Sequence, residues 1–437
     1  MRQDAYVTAC CTALDQALAT APFYQSWRAR DPGVTVSLDR RFALLPWVAK
    51  RDLRAHMPNG FTHRPAELKA ALSAGDVELV STSGTTEDRS SVLWHQPWWD
   101  RSERAGAHLH AGLAEVVARE AREAVLTSPL CGGTVCHVGS LTMAERTLGR
   151  LLFLNQQQDP NRWTASECDR MIDEINVFQP ELLEADPAYL AILARHAFLH
   201  GRALHQPRFI TLTYEFPSRV YLRQIRRSFP GVPLVSSYGS TETGHVLTAC
   251  EKGNFHQNTA SCRIDFQPLH SKHRQPRVGR ILVTLLNHPW LSLIRFEPGD
   301  LVELADKPCL CGRHAGLTVS AIAGRTRDMT FTTDGRAVTV DQVDQAAEAI
   351  QSLLAYQVEQ TDSAAYTFHL VCEPGAEERA QIQAVESLTR LYGADARIAT
   401  RRESVIAPEQ SGKFRLTRFS GTPSGESLFD AEQEAAW

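Results

Sequence analysis

No stretch of this chain approaches the roughly 18 consecutive apolar residues that a membrane-crossing helix requires, so no membrane span is expected. Positive charge is not in excess either: 46 Lys and Arg stand against 50 Asp and Glu. That balance supplies no field for nucleic acid or an anionic surface, and small molecules are the expected partners. The opening Met1-Arg-Gln-Asp4 carries an acid and leads into no continuous apolar stretch, so no secretory leader is read there and a cytoplasmic location is expected. In a reducing compartment ten cysteines in 437 residues do not form a disulfide framework; they are expected as core residues, metal ligands or nucleophiles. Lysine is scarce, occurring only as Lys50, Lys69, Lys252, Lys272, Lys307 and Lys413. The Gly-Lys-Ser/Thr of a Walker loop is missing, which excludes that kind of nucleotide site.

What is present is ordinary globular composition, 43% hydrophobic and 22% charged, in a chain long enough for two domains. Strands and helices alternate through the middle. Helices are predicted over 100–124, 165–178, 187–199 and 218–229, with strands at 77–80, 92–94, 124–126, 209–212 and 234–237. Such alternation predicts an α/β architecture with a largely parallel sheet. From Gly279 the texture is all-strand (280–285, 291–296, 301–304). After it comes a smaller unit with a strand at Thr330, a helix over 340–353, a strand over 365–371 and a helix over 377–392. The expected division is residues 1–326 and an α+β unit over 327–437, with a frayed Gly- and Ser-rich tail.

Five short motifs carry chemistry. Ser81-Thr-Ser-Gly-Thr-Thr86 follows a strand and packs hydroxyls and a glycine densely enough to wrap a phosphate chain; alone, it also reads as a polar surface turn. Tyr238-Gly-Ser-Thr-Glu-Thr-Gly244 sets a hydroxyl beside a carboxylate, suited to a phosphate and its magnesium, and reads equally as a capped loop. Glu297-Pro-Gly-Asp300 fixes an aspartate on a turn where it can accept two ribose hydroxyls, though Pro-Gly-Asp is also common turn chemistry. Gly324-Arg-Thr-Arg-Asp328 lies at the expected division. Ser411-Gly-Lys-Phe-Arg415 places one of the few lysines near the end of the chain.

In this order the five motifs resemble the adenylate-forming superfamily of acyl-CoA synthetases, adenylation domains and luciferases, over about residues 75–415. Pro22-Phe-Tyr24 and Pro308-Cys-Leu-Cys-Gly-Arg313 are similar to its phenylacetate-CoA ligase branch. The resemblance implies a large adenylating domain with mostly parallel sheets and a β-rich subdomain, plus a small mobile C-terminal lid. It implies activation of an aryl or arylalkyl acid by ATP, then thioester formation with CoA. Ser83, Gly84, Thr85 and Thr86 would close over the β- and γ-phosphates. The family continues Gly-Lys-Pro there, whereas this chain has Glu87-Asp-Arg89, so Arg89 would supply the positive charge. Thr241 would contact the α-phosphate, Glu242 would coordinate magnesium, and Tyr238 with Gly239 would lie against adenine. Asp300 and Arg325 would hold the ribose, Arg327 would stand at the hinge, and Lys413 would reach the carboxylate and α-phosphate. The departures at 87–89 and 327 keep a second reading open, in which the acceptor is an amine or a carrier-protein thiol, or the activated oxyanion is nitrite. A non-catalytic nucleotide-binding homologue is the third. Dimers are frequent in this branch, so a homodimer is among the expected states.

Cys309-Leu-Cys311 is too tight for a relaxed disulfide but suits two thiolates on one ion. Cys250 and His256 follow the Tyr238 motif and supply a thiol and an imidazole. In the resembled branch such a set resembles a structural zinc site, with Cys262 as a substitute ligand.

Overall fold

The computed structural model describes residues 3–81, 90–129, 139–421 and 428–429. Its centre is a mixed sheet, twelve-stranded among the described residues. The strands Leu151–Phe153, Glu123–Leu126, Leu182–Ala185, Phe209–Leu212 and Leu234–Ser240 lie parallel in that spatial order. Beyond them the sheet continues antiparallel through Gly244–Ala249, Phe255–Gln257, Thr318–Arg325, Asp300–Leu304, Val278–Leu285 and Cys262–Pro268. The expected parallel layer and β-rich part are thus two halves of one sheet.

The connections from Leu151–Phe153 to Leu182–Ala185, on to Phe209–Leu212 and on to Leu234–Ser240 each cross back through a helix with well-defined ends. Ala165–Phe178 begins at a capping box in which Thr164 and Glu167 exchange hydrogen bonds with each other's amides. Pro187–Leu199 begins with Asp186 accepting from the amide of Ala188 at 2.9 Å. These two helices and Arg219–Ser228 press their apolar faces on Ala124, Leu126, Leu183, Ala185, Ile210 and Leu212, all buried in one cluster. Burying each of the leucine and isoleucine side chains stabilises by about 1.5–3 kcal/mol.

Three expected elements differ. The helix over 100–124 is two, Gln96–Ala107 and Leu113–Ala118. Gly112 stands between them at φ 84°, a left-handed position that a continuing helix cannot adopt. Residues 291–296 make only isolated bridges to Thr62, Val48 and Val283 rather than a strand. Arg295 at φ 52° breaks the extended conformation there, and Tyr24 instead secures the segment, its hydroxyl 3.1 Å from the Ser292 carbonyl and 2.9 Å from the Ile294 amide. The helix begun at Val340 ends at Glu348, and Leu353 already opens a strand.

Toward the C-terminus the strands Arg397–Arg402, Ala365–Cys372, Leu353–Asp362 and Thr417–Phe419 form a four-stranded sheet. Helices Val340–Glu348 and Glu377–Tyr392 pack on it. Val343, Ile350, Tyr356 and Phe368 of this unit join the same buried cluster as Val220 and Ile225. A polar knot reinforces that junction. The fully buried Asp344 accepts from the Arg219 amide at 2.8 Å, the Arg219 guanidinium at 3.0 Å, the Tyr356 hydroxyl at 2.8 Å and the Ser218 hydroxyl. No helix among the described residues is long and apolar enough to cross a membrane.

Candidate functional site

The Tyr238 motif is the end of one strand and the turn of a hairpin, not a loop after the strand. Leu234–Ser240 pairs antiparallel with Gly244–Ala249, leaving Thr241, Glu242 and Thr243 as the turn. Two glycines make this closeness possible. A Cβ on Gly239 would lie 2.1 Å from the Gly244 carbonyl oxygen, and one on Gly244, at φ 67°, would strike Trp98 and Ser102. The hairpin therefore holds Thr241 half-buried and the Glu242 carboxylate buried. Among the described residues Glu242 has no ion-pair partner, which suits a carboxylate kept for a cation.

Tyr238 carries the site across the sheet. Its hydroxyl donates to Asp300 Oδ2 at 2.8 Å. Asp300 is in register with Arg325 on the next strand, where Arg325 Nε stands 3.4 Å from Oδ1. Burial, and then the Asp300 charge, push the Tyr238 phenol well above its ordinary range, so it remains a donor. The guanidinium of Arg325 also feels Asp328 and Glu409. Arg415 ion-pairs with Asp328 and donates to the Arg327 carbonyl at 3.1 Å. The segment holding Lys413 is thereby joined to the Asp300 group.

That segment is a tight turn: the Glu409 amide donates to the Lys413 carbonyl, and the Gly412 amide to the Glu409 carbonyl, both at 2.8 Å. Gly412, at φ 83°, lies so close to the main sheet that a Cβ there would be 2.7 Å from Ser128 Oγ and 2.8 Å from the Tyr189 hydroxyl. The Gly before Lys413 is needed for docking. The Phe414 amide donates a hydrogen bond of 2.7 Å to Glu215 Oε2, and its ring makes an edge contact with Tyr189. Lys413 is half-buried over Asp186 and Glu215, whose ionised forms its charge favours. Burial, followed by the Asp186 charge, drives the Glu215 carboxyl well up. Asp186, held by helix amides, is pushed up only to about 6 by burial.

Ser83, Gly84, Thr85, Thr86 and Arg89 lie outside the described residues. The four soft ligands are brought together: the donor atoms of Cys250, His256, Cys309 and Cys311 lie within 4.8 Å of one another. Cys250 Sγ is 3.6 Å from Cys309 Sγ, and Cys311 Sγ is 3.1 Å from His256 Nε2. Two sulfurs on a tetrahedral ion with ~2.3 Å bonds would be about 3.8 Å apart, so the spacing fits a closed metal site. Amides of Lys252 and Arg313 point at Cys250 and Cys311. Cys262 is not in the set; it is buried and contacts backbone carbonyls of Val246 and Asn258. Of the tryptophans, Trp98 is core, donating to the Leu286 carbonyl at 3.1 Å, while half-buried Trp94 and Trp99 pack together.

Asp186, Glu215, Glu409 and Tyr189 were not among the residues expected here. One signal for the first was available: Leu182-Leu-Glu-Ala-Asp186 puts two acids at a spacing of two in an otherwise apolar strand, hence on one sheet face.

This arrangement defines a class. The parallel strands end at a Thr-Glu hairpin, an aspartate–arginine pair and a docked lysine turn, and the fold is that of the adenylate-forming ligases. No protein-family model matches the chain. It is similar to 2-hydroxyisobutyryl-CoA ligase in the postadenylation state with its acyl-AMP (TM-score 0.71, 17% identity, 96% of this chain and 89% of that one). An acyl acid amido synthetase also shares the fold (TM-score 0.57, 12% identity, 98% and 94% of the chains). In sequence it is 26% identical over 297 residues to phenylacetate-coenzyme A ligase of Thermus thermophilus, covering 65% of this chain. The match spans 61% of that relative's length. The resemblance to the adenylate-forming superfamily is upheld.

Proposed function

We propose that this chain uses ATP to convert a carboxylic acid into its acyl-adenylate with release of pyrophosphate, and then passes the acyl group to CoA. The observation that carries this is the joining of Tyr238, Asp300 and Arg325, through Asp328 and Arg415, to the docked Lys413 turn. Asp300 accepts the ribose hydroxyls, with Arg325 and Tyr238 fixing its orientation. Thr241 meets the α-phosphate. Glu242 would hold magnesium, which neutralises the triphosphate when bound. Lys413 reduces the repulsion between the attacking carboxylate and the α-phosphate, a role that grows as charge develops. Ser83, Gly84, Thr85, Thr86 and Arg89 are assigned to the β- and γ-phosphates on the resemblance of their motif.

The same reading makes residues 327–437 a mobile lid that rotates between the half-reactions. It assigns zinc to Cys250, His256, Cys309 and Cys311, where it would pin the segment after the hairpin to the loop before Thr318. An aryl or arylalkyl acid, a cytoplasmic location and a homodimer belong to this proposal through the phenylacetate-CoA ligase likeness. A second acceptor class, an amine, is favoured by the shared fold with an amido synthetase and by the Asp344 knot, which a rotating lid must break. Product mass decides: adenylation in the presence of CoA and of amines should give a thioester, and an amide alone would replace the ligase assignment.

A further inference from the structure

The two faces of the parallel strands differ. One carries Ala124, Leu126, Leu183, Ala185, Ile210 and Leu212 and is covered by three helices. On the other, Val125, Glu184, Thr211 and Val235 stand in one row by strand register. Leu182, Phe209 and Val235 close the lower end of that face against Leu113 and Val116. Toward the upper end it is acidic and hydroxylic, ending at Asp186 under Lys413.

Helix Gln96–Ala107 packs on the adjoining antiparallel strand Gly244–Ala249. A Cβ on Gly106 would lie 3.3 Å from Thr248 Oγ1 and 3.4 Å from His245 Cβ, and the Trp99 ring meets His245 at 5.0 Å. Glu103 is four residues from Trp99 and three from Gly106, so it shares their helix face and looks onto the sheet. There burial, and then the Glu184 charge, make the Glu103 carboxyl harder to ionise, and burial, followed by the Glu184 and Glu103 charges, does the same to Glu123. Among the described residues the Arg150 guanidinium, 2.8 Å from Glu123, acts on all three, and Arg104 acts on Glu103 as well. Tyr214, in the left-handed region at φ 73°, donates its hydroxyl to Glu184; a bulky residue adopts that conformation only where its surroundings impose it. The Thr211 hydroxyl, in register beside Glu184 and 8% exposed, has no hydrogen-bond partner among the described residues, and neither has His245 Nε2.

Clustered buried carboxyls and an orphaned buried hydroxyl on one wall suit a donor-bearing cation, whose charge would favour their ionised forms. The position says what kind. Glu184 precedes Asp186 by two residues, about 7 Å along the strand, and the neighbouring residues Tyr214 and Glu215 contact Glu184 and the Lys413 turn respectively.

We propose that the acid this chain activates carries an amino group several bonds from its carboxylate, which Glu184, Glu103 and Thr211 take as the ammonium while the carboxylate lies at Lys413. This rests on the adenylation reading for the carboxylate end. Glu184 supplies the principal charge, Glu103 closes from the helix, and Trp99 flanks the connecting frame.

The test compares matched acids with and without the cation, 4-(aminomethyl)benzoate against 4-ethylbenzoate and 4-aminobutyrate against pentanoate. Both acid-dependent pyrophosphate release and direct calorimetric binding to the full-length protein are read. Wild type should favour the amino member of at least one pair by about tenfold or more, as a site built around buried polar groups does. Glu184→Gln should collapse that ratio by a similar factor, mainly through KM, and Glu103→Gln should reduce it in the same direction. Thermal transitions of both variants show whether they fold. If Glu184→Gln does not fold, the Glu103→Gln ratio decides. Pyrophosphate release with a preference for the uncharged members, or a ratio unmoved by a folded variant, overturns the amino-acid assignment and leaves adenylation standing. A binding preference for the amino members without pyrophosphate from any acid would instead overturn adenylation and keep the pocket.

Discussion

Replacing Asp344 with alanine should destabilise the chain by ~3–5 kcal/mol, the range for removing one member of a buried ionic network. The magnitude follows from what is left behind. Asp344 is fully buried and receives four donors, from the Ser218 hydroxyl, the Arg219 amide and guanidinium, and the Tyr356 hydroxyl. Ser218 and Tyr356 are themselves buried, so water cannot take over, and each stranded donor costs about 1–3 kcal/mol. Arg219 is partly relieved because Asp341 remains 2.8 Å away, which holds the sum toward the middle of the range. Asp344→Asn keeps the shape but points an amide at one donor, and should cost less. Urea denaturation followed by fluorescence measures both. Because the knot ties helix Arg219–Ser228 to the C-terminal unit, the alanine variant should also adenylate more slowly while still consuming supplied acyl-adenylate. A loss below about 0.5 kcal/mol would refute the network account.

Three further outcomes are expected. Purified protein should carry about one zinc per chain, and Cys311→Ser should lose metal and thermal stability together, since metal-binding free energy is part of folding free energy; metal analysis of unchelated protein checks it. Glu242→Ala should cut adenylation strongly with little change in the thermal transition, because the turn holding Glu242 is built by Gly239 and Gly244 rather than by the carboxylate; normal turnover would reduce that motif to a hairpin. The Glu215 carboxyl is raised above its ordinary 4.5, so the folded state binds its proton more tightly than the unfolded chain does. Its contribution is complete below about pH 4.5 and is lost as pH rises toward the elevated value. Glu215→Gln, neutral throughout, should flatten that part of the stability-against-pH curve relative to wild type.

Much of the middle of the chain was legible because its signals are local. Thr164 with Glu167, and Pro187 behind Asp186, mark helix starts whatever packs above them, and both helices begin where expected. Gly112 did not stand out, since a glycine inside a helical pattern is tolerated as often as it breaks one. The 291–296 segment has a strand's composition, yet contacts from Tyr24 and the left-handed Arg295 dictate its course. At the site, Cys250, His256, Cys309 and Cys311 were legible through residue type together with the resemblance to the phenylacetate-CoA ligase branch, and the structure brings these four together without Cys262. Asp300 and Arg325 met through register, which no local pattern reveals. Glu184, Asp186 and Glu215 stayed hidden because their importance lies in which sheet face they share and in how few cations accompany them.

The central claim is tested most directly by the two half-reactions of Lys413→Ala. Acid-dependent pyrophosphate release by this variant should fall by about 2–4 kcal/mol of transition-state stabilisation, the size of other lost electrostatic donors. The same protein, given synthetic acyl-adenylate and CoA, should transfer the acyl group at a substantial fraction of the wild-type rate. Undiminished pyrophosphate release would contradict the placement of Lys413 at the reacting carboxylate.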